Sequence, residues 1–177
     1  MPIIEPVAIE DIESPKLLEM IDQARELQVP DEQFLQIMAH APGYGEALFD
    51  AMYKSHALGA VDHNLKEIIR IQLARHAQDP YFSALRSQKA IEAGLTEELI
   101  EAGCGDFEDD DRFSPAEIWA LSYARLMYTE PKKVNAEFYD RGKALYSEAE
   151  IIELGAFIAF HYGLQLFMRT LKVTPLS

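Results

Sequence analysis

Residues 62–80 read DHNLKEIIRIQLARHAQDP, and this stretch decides the fold class. Its apolar residues recur every three or four positions, which is the spacing of an α-helix, and Asp79-Pro80 ends the pattern. At 100° per residue these side chains fall on every side of the helix, interleaved with Glu67, Arg70 and Arg75. A helix that is apolar all round is a buried one, so the sequence predicts a central core helix.

The same spacing predicts helices on both sides of this stretch. Apolar stripes lie within residues 17–27, 34–38 and 47–52, and a fifth helix is predicted from Pro80 to Ala93. Thr96 begins a short sixth helix, and Ser114 and Ser147 begin two capping boxes that start longer helices. Because no sustained alternation of apolar and polar residues occurs, we expect a compact all-α bundle of about eight or nine helices.

The chain length fits one domain. We expect a single all-α domain over residues 1–177, with an N-terminal helical segment at roughly residues 1–61 and a core at residues 62–173. The 16 basic and 30 acidic residues give a formal charge of −14, which argues against nucleic acid and anionic membranes as partners. Without a targeting signal or an apolar run long enough to span a bilayer, the predicted location is the cytoplasm.

Self-association is predicted from the apolar character of two helices. The helix after Ser147 is rich in apolar residues from Ile151 to Phe167, so that it resembles the helix at residues 62–80 in having little polar surface. Two such helices are difficult to bury within 177 residues, and a second copy would supply the missing cover.

Several motifs carry a resemblance to a known family. His63-Asn64-Leu65-Lys66-Glu67-Ile68-Ile69-Arg70 resembles the helix that holds the functional glutamate of carboxymuconolactone decarboxylases and alkylhydroperoxidase D-like proteins. The stretch from Lys89 to Glu98, KAIEAGLTEE, is similar to the family's signature, in which a helix ends in Ala-Gly before a Thr-Glu-Glu cap. His40-Ala41-Pro42 is similar to members with an extra N-terminal segment. The resemblance covers residues 34–173 and implies the family's all-α fold and a trimer or hexamer, with a dimer as the alternative.

The chain departs from this family at its reactive groups. Redox members carry a Cys-x-x-Cys motif and a histidine after the glutamate, and counting from Glu67 places these on Asp79, Phe82 and Arg86. The decarboxylase branch also has histidine at the position of Arg86. The one cysteine, Cys104, lies outside this motif, in a predicted loop at residues 103–111 whose acidic run would raise its pKa. Thiol peroxidase activity is therefore not expected.

Glu67 and His161 are the candidate catalytic residues. Glu67 is either an ordinary helix charge that pairs with Arg70 or, buried in an apolar helix, a proton donor with a raised pKa. His161 lies among aromatic residues, where it is either a core histidine or a buried imidazole that titrates near neutral pH.

Arg86, Asp79 and Tyr81 are the candidate substrate-binding residues. Arg86 is either a surface ion-pair partner or the group that holds a substrate carboxylate through two hydrogen bonds. Asp79 precedes Pro80 and is either a helix cap or a site residue, and Tyr81 is either a core aromatic or a wall of the site. The histidines show no ligand spacing, and Glu108 to Asp111 lack the pattern of a calcium loop, so no metal and no cofactor are expected.

Two functions follow from these residues and the resemblance. The first is a cofactor-independent enzyme similar to the lyase branch, acting on a small anionic or aromatic organic acid with Glu67 as general acid or base. The second is a non-catalytic oligomeric protein on the same fold that binds a small molecule or serves as a scaffold. In an enzyme, Glu67 should have a raised pKa and face a cavity, whereas in a scaffold it should be bonded within a closed core.

Overall fold

A computed structural model describes residues 2–175 of the chain, and the described residues form helices and no β-strand. The all-α fold class predicted from the sequence is therefore confirmed. The α-helices are α1 (Pro15–Leu27), α2 (Glu32–Met38), α3 (Pro42–Met52), α4 (His63–His76), α5 (Pro80–Ala84), α6 (Gln88–Glu92), α7 (Glu97–Cys104), α8 (Pro115–Thr129), α9 (Ala136–Lys143) and α10 (Glu148–Thr170). A π-helical turn, Tyr53–Ala57, follows α3, and short 3-10 turns lie at Ile9–Asp11 and Pro131–Lys133.

Side-chain caps set most of the helix starts. Both capping boxes form as predicted, with the Ser114 and Ser147 hydroxyls accepting from the backbone of Glu117 and Glu150, whose carboxylates reach back to the serines. Asp62 caps α4 in the same way by accepting from the backbone N–H of Leu65. Each such cap satisfies an otherwise unpaired amide and contributes about 1 kcal/mol.

Helix α4 is the centre of the structure. It contacts α5, α7, α8 and α10, and its residues from Leu65 to Ala74 are buried. On one side of α4 lies a core built from α7, α8, α9 and α10, and on the other side a second core built from α1, α2 and α3 with the C-terminal half of α10. The predicted central core helix is thus the element on which both cores pack.

The predicted fifth helix is wrong in one respect. Two short helices, α5 and α6, replace it, because the chain is extended at Leu85 and Ser87 and the Ser87 hydroxyl caps α6. With this break and with α9, to which no stretch was assigned from the sequence, residues 2–175 contain ten α-helices, against the roughly eight or nine expected. Cys104 was expected in the acidic loop, but it is the last residue of α7.

Helix α10 is 23 residues long and meets the length and composition of a membrane-crossing helix. One side of it is nonetheless buried in the core through residues such as Leu154, Phe157 and His161. The opposite side is exposed and carries Ile152, which is 72 % exposed. Helix α10 therefore combines a core side with an apolar outer side that the described chain leaves exposed.

Helices α8 and α9 are locked together around Trp119. Its ring lies 4.9 Å from that of Phe138, and its indole N–H donates to the Phe138 carbonyl at 3.1 Å. Gly142 makes this contact feasible, since a Cβ atom built there would lie 2.3 Å from Cζ2 of Trp119. The same packing fixes the neighbouring Tyr123 and Tyr139.

Replacing Gly142 by alanine should lower the free energy of unfolding by about 1–3 kcal/mol, because the rigid Trp119 ring must move to admit the methyl group. Urea denaturation followed by far-UV circular dichroism measures this change. Gly43→Ala is the matched control, since a Cβ there meets none of the described atoms within 4 Å. Equal unfolding midpoints for the two variants would contradict this account of the α8–α9 packing.

Candidate functional site

Glu67 and Arg70 form a buried ion pair one helical turn apart on α4. Nε of Arg70 donates to Oε2 of Glu67 and Nη2 donates to Oε1, both at 2.8 Å, and both side chains are excluded from solvent. Arg70 also donates from Nη1 to the Phe82 carbonyl at 2.6 Å and from Nη2 to the Leu85 carbonyl at 2.7 Å. These two carbonyls lie at the C-terminal end of α5, where no further amide of the helix is available to donate to them.

Two further groups reach the Glu67 carboxylate. The backbone N–H of Ser87 donates to Oε1 at 2.9 Å. His56, from the π-helical turn, places Nε2 2.9 Å from Oε2 of Glu67, although the angles at this contact depart from those of a hydrogen bond. Both carboxylate oxygens are therefore occupied by groups of the protein.

The pKa of Glu67 moves in the direction opposite to that expected for a general acid. Burial by itself raises the pKa of this carboxyl, but the charge of Arg70, its two hydrogen bonds and the contact with His56 outweigh burial. The pKa of Glu67 lies well below its ordinary value, so the group is a carboxylate at neutral pH. Of the two alternatives that the sequence leaves open for Glu67, this geometry fits the charge paired with Arg70, which neutralises the desolvated carboxylate from within the same helix.

Arg86 does not complete a substrate-binding pair with Glu67. Its guanidinium forms a two-point ion pair with Glu97, with Nε donating at 2.6 Å and Nη2 at 3.0 Å, and Nη1 donates to the carbonyls of Ser83 and Leu85. Glu67 and Arg86 line one common crevice, but its volume is about 10 Å³. That is about the room of one water molecule.

Asp79 and Tyr81 have structural contacts. The buried Asp79 carboxylate accepts from the backbone N–H groups of Tyr81 and Phe82 and thereby caps α5, and burial raises its pKa. Tyr81 is fully buried, and its hydroxyl donates to the Asp31 carboxylate, which also caps α2. Burial, followed by the charge of Asp31, raises the pKa of Tyr81 well above its ordinary value.

His161 lies beside His56, the residue that contacts Glu67. Its ring is 4.2 Å from the Phe157 ring, 5.3 Å from Phe160 and 5.9 Å from His56, measured between centroids. Neither ring nitrogen has a hydrogen-bond partner in the part of the chain that the structure describes. Burial, followed by the charges of His56 and Arg70, lowers the pKa of His161 well below its ordinary value, so the imidazole is neutral at pH 7.

A histidine–serine pair adjoins this cluster and was not anticipated from the sequence. Nδ1 of His63 lies 2.9 Å from the His56 carbonyl and must donate to it, which leaves Nε2 to accept from the Ser87 hydroxyl at 2.8 Å. The only available signal was the cap position of Ser87, because the two residues are far apart in sequence. The pair ties the start of α4 to the start of α6.

Burial disfavours the thiolate form of Cys104. Burial raises its pKa to about 11, and the charge of Arg75 opposes that shift. The high pKa expected from the sequence is correct in direction, but burial and not the acidic run is its main cause. Among residues 2–175 no group of three or more His, Cys, Asp or Glu side chains is placed to hold a metal ion.

A much larger hollow lies elsewhere, between α8, α9 and α10. It has a volume of about 540 Å³ and is lined by Tyr123, Tyr139, Lys143, Glu148, Ile151, Ile152, Gly155 and Ala156. We call it the tyrosine groove. The two tyrosine hydroxyls lie 2.8 Å apart, and Lys143 pairs with Glu148 at 3.3 Å. A Cβ atom at Gly155 would lie 2.7 Å from the Tyr123 hydroxyl, so a glycine is required for this wall.

Comparisons with known proteins rest on structure. No family model and no curated protein matches the sequence. The debrominase Bmp8, solved as a variant in complex with 2,3,4-tribromopyrrole, superposes with a TM-score of 0.82 at 21% identity, over 98% of this chain and 91% of that one. Bmp8 without ligand gives the same TM-score and identity, over 98% of this chain and 92% of that one.

A second protein shares the architecture at lower identity. The alkylhydroperoxidase AhpD core of an uncharacterised peroxidase-related protein from Ralstonia eutropha JMP134 superposes with a TM-score of 0.79 at 15% identity, over 100% of this chain and 94% of that one. The resemblance inferred from the helix around Glu67 is thereby confirmed at the level of the fold. The chain has the all-α fold of alkylhydroperoxidase D-like proteins.

Proposed function

We propose that this chain uses the alkylhydroperoxidase D-like scaffold to bind a small aromatic molecule, and not to transfer protons at Glu67. The observation that carries the proposal is the closed Glu67–Arg70 pair. A carboxylate that accepts two arginine hydrogen bonds and one from a backbone amide, beside a crevice of about 10 Å³, is neutralised by the protein and has little space for a substrate. This is the non-catalytic alternative that the sequence left open.

The tyrosine groove is the proposed binding site. Its volume of about 540 Å³ falls in the range of small-molecule sites, and its walls combine apolar and aromatic side chains with a few polar groups. The hydroxyls of Tyr123 and Tyr139 offer a donor and an acceptor, and Lys143 offers a charge for an acidic ligand. That Bmp8 was solved with 2,3,4-tribromopyrrole supports a ligand of this size for the fold.

The lyase function that the sequence favoured is the second candidate. The observation in its favour is that Glu67, His56 and His161 share one buried core, where neutral imidazoles could accept a proton from a neighbouring group. It requires that Arg70 release Glu67 and that the crevice beside Ser87 open to admit a substrate carboxylate for Arg86. The two candidates differ in what Glu67 does, and substitution of that residue separates them.

Replacing Glu67 by glutamine should destabilise the protein by about 3–5 kcal/mol, because it leaves the Arg70 charge buried without its counter-ion. Thermal unfolding should show a loss of several degrees or more. Glu97→Gln is the matched control, since it breaks an arginine–glutamate pair whose glutamate is largely exposed, and it should cost no more than about 1 kcal/mol. An unchanged melting temperature for Glu67→Gln would count against a structural role.

Stability should fall between pH 7 and pH 5. Burial lowers the pKa of His56 to about 4, and it also lowers the pKa of His161. The unfolded chain therefore binds protons at these histidines near pH 6.5, whereas the folded chain does not. The loss for His56 alone reaches about 3 kcal/mol by pH 4. Glu67, with its low pKa, adds its own loss only below its unfolded value near 4.5.

Urea denaturation at pH 7 and pH 5 measures this dependence. In His161→Phe, which removes one of the two buried imidazoles, the stability should fall less between these pH values than in the wild type. Phe157→Leu is the control, because it disturbs the same core without removing a titrating group. A pH dependence in His161→Phe equal to that of the wild type would refute the assignment of a neutral buried His161.

The tyrosine groove should bind benzoate or phenol, and saturation-transfer NMR observes such weak ligands directly. Tyr139→Ala should reduce the transfer at least several-fold, because it removes one wall and the hydroxyl partner of Tyr123. Tyr44→Ala is the control, as Tyr44 is 74 % exposed and lies outside the groove. If neither probe binds, or if the two variants behave alike, the groove is not the binding site.

A further inference from the structure

One end of the tyrosine groove is charged. Lys143, the last residue of α9, and Glu148, the first residue of α10, both line the groove, and Nζ of Lys143 lies 3.3 Å from Oε1 of Glu148. The two side chains are 53 % and 81 % exposed. An ion pair as exposed as this one contributes little to stability, so the protein loses little when a ligand replaces it.

A pair of hydroxyl groups marks a second part of the groove. The hydroxyls of Tyr123 and Tyr139 lie 2.8 Å apart, and Tyr123 packs against Gly155 of α10. Burial, followed by the hydrogen bond with Tyr139, raises the pKa of Tyr123, so its hydroxyl keeps its proton at neutral pH. Since one hydroxyl of the pair donates to the other, one O–H group is left to donate and both oxygens keep lone pairs. The pair therefore fits a ligand hydroxyl, which both accepts and donates.

An apolar wall separates these two parts of the groove. Gly155 follows Glu148 by seven residues, which corresponds to about 10 Å along the axis of α10. Between them, Ile151 and Ile152 line the groove, and Gly155 and Ala156 add no bulky side chain. The wall can therefore take the face of one aromatic ring, with charges at one end of the ring and a hydroxyl at the other.

The two charges at the groove select against a ligand with only one charge. A carboxylate that pairs with Lys143 also lies beside the Glu148 carboxylate, and like charges at this distance repel each other. An amine that pairs with Glu148 meets Lys143 in the same way. A ligand with a carboxylate and an ammonium group on one carbon atom pairs with both side chains, so that two ion pairs replace one. The formal charge of −14 on the chain further disfavours a simple anion.

We propose that the tyrosine groove binds an aromatic α-amino acid with a hydroxyl group on its ring. The ligand carboxylate pairs with Lys143 and the ligand ammonium group with Glu148. The ring lies against Ile151, and its hydroxyl joins the hydrogen bond between Tyr123 and Tyr139. This inference rests on the proposed function, because it names the class of ligand for the same groove.

A series of four ligands tests the proposal on the wild-type protein by saturation-transfer NMR titration. L-Tyrosine is compared with tyramine, which lacks the carboxylate, with 3-(4-hydroxyphenyl)propionate, which lacks the ammonium group, and with L-phenylalanine, which lacks the hydroxyl. L-Tyrosine should bind about 10-fold more tightly than either singly charged analogue, because it alone of the three pairs with both charges. It should bind about 3-fold more tightly than L-phenylalanine, because the hydroxyl adds hydrogen bonds.

Two variants identify the charges that make this selection. Glu148→Gln should weaken binding of L-tyrosine about 5-fold and strengthen binding of 3-(4-hydroxyphenyl)propionate, since it removes the repelling carboxylate. Lys143→Met should weaken binding of L-tyrosine and strengthen binding of tyramine for the converse reason. A purely structural role of the ion pair would change the affinities of both ligands in the same direction.

Glu130→Gln and Lys133→Met are the matched controls. They break an exposed ion pair, with Nζ of Lys133 2.7 Å from Oε2 of Glu130, whose residues do not line the groove. All four affinities should stay at the wild-type values in these two variants. Circular dichroism of each variant verifies that the fold is retained.

The outcomes separate this inference from the proposed function. If L-tyrosine binds no more tightly than tyramine and 3-(4-hydroxyphenyl)propionate, or if Glu148→Gln weakens binding of both acids alike, the selection of an amino acid is overturned. Binding of phenol or benzoate to the wild type would then leave the proposed function intact. If none of these probes binds the wild type, the proposed function fails and this inference fails with it.

Discussion

The ion pair between Glu67 and Arg70 is the interaction on which the rest of the structure depends. It places two opposite charges inside the central helix, where either alone would be prohibitive to bury. Because Arg70 has donors left over, it also takes the free carbonyls at the end of α5, and Glu67 takes the free amide of Ser87. One pair of side chains thus determines where α5 ends and where α6 begins.

The features that were predicted correctly from the sequence are those that depend on local chemistry. Both capping boxes, the central helix and the stop at Asp79-Pro80 depend on residues within a few positions of one another, and each was found where expected. The break between α5 and α6 was missed because one of its contacts is not local: Arg70, which is distant in sequence, reaches the Leu85 carbonyl only in the folded chain. The same distance concealed the contact of His63 with Ser87.

The electrostatic state of Glu67 shows why the site was harder to predict than the fold. Burial and a neighbouring cation shift the pKa of a carboxyl in opposite directions, and the balance depends on the geometry of their contact. A spacing of three residues permits an Arg70 that points to solvent as well as one that holds both carboxylate oxygens. The two-point contact decides the outcome, and it exists because the carbonyls of Phe82 and Leu85 hold the guanidinium inside the core.

Helix α10 contributes to both the buried core around Glu67 and the tyrosine groove, from opposite sides. Its inner side closes the core with His161 and donates from Gln165 to the Arg70 carbonyl, while its outer side forms one wall of the tyrosine groove. Inner and outer residues lie on opposite sides of this one helix. Substitutions on the outer side therefore change the groove and leave the contacts of the Glu67 cluster in place. Both oxygens of Glu67 contact groups of the protein and the crevice beside it has a volume of about 10 Å³, so the binding proposed above uses the outer side of the bundle. The Glu67–Arg70 pair, whose burial costs free energy, thus lies on the inner side of α10, whereas the surface that is free to vary in function lies on its outer side.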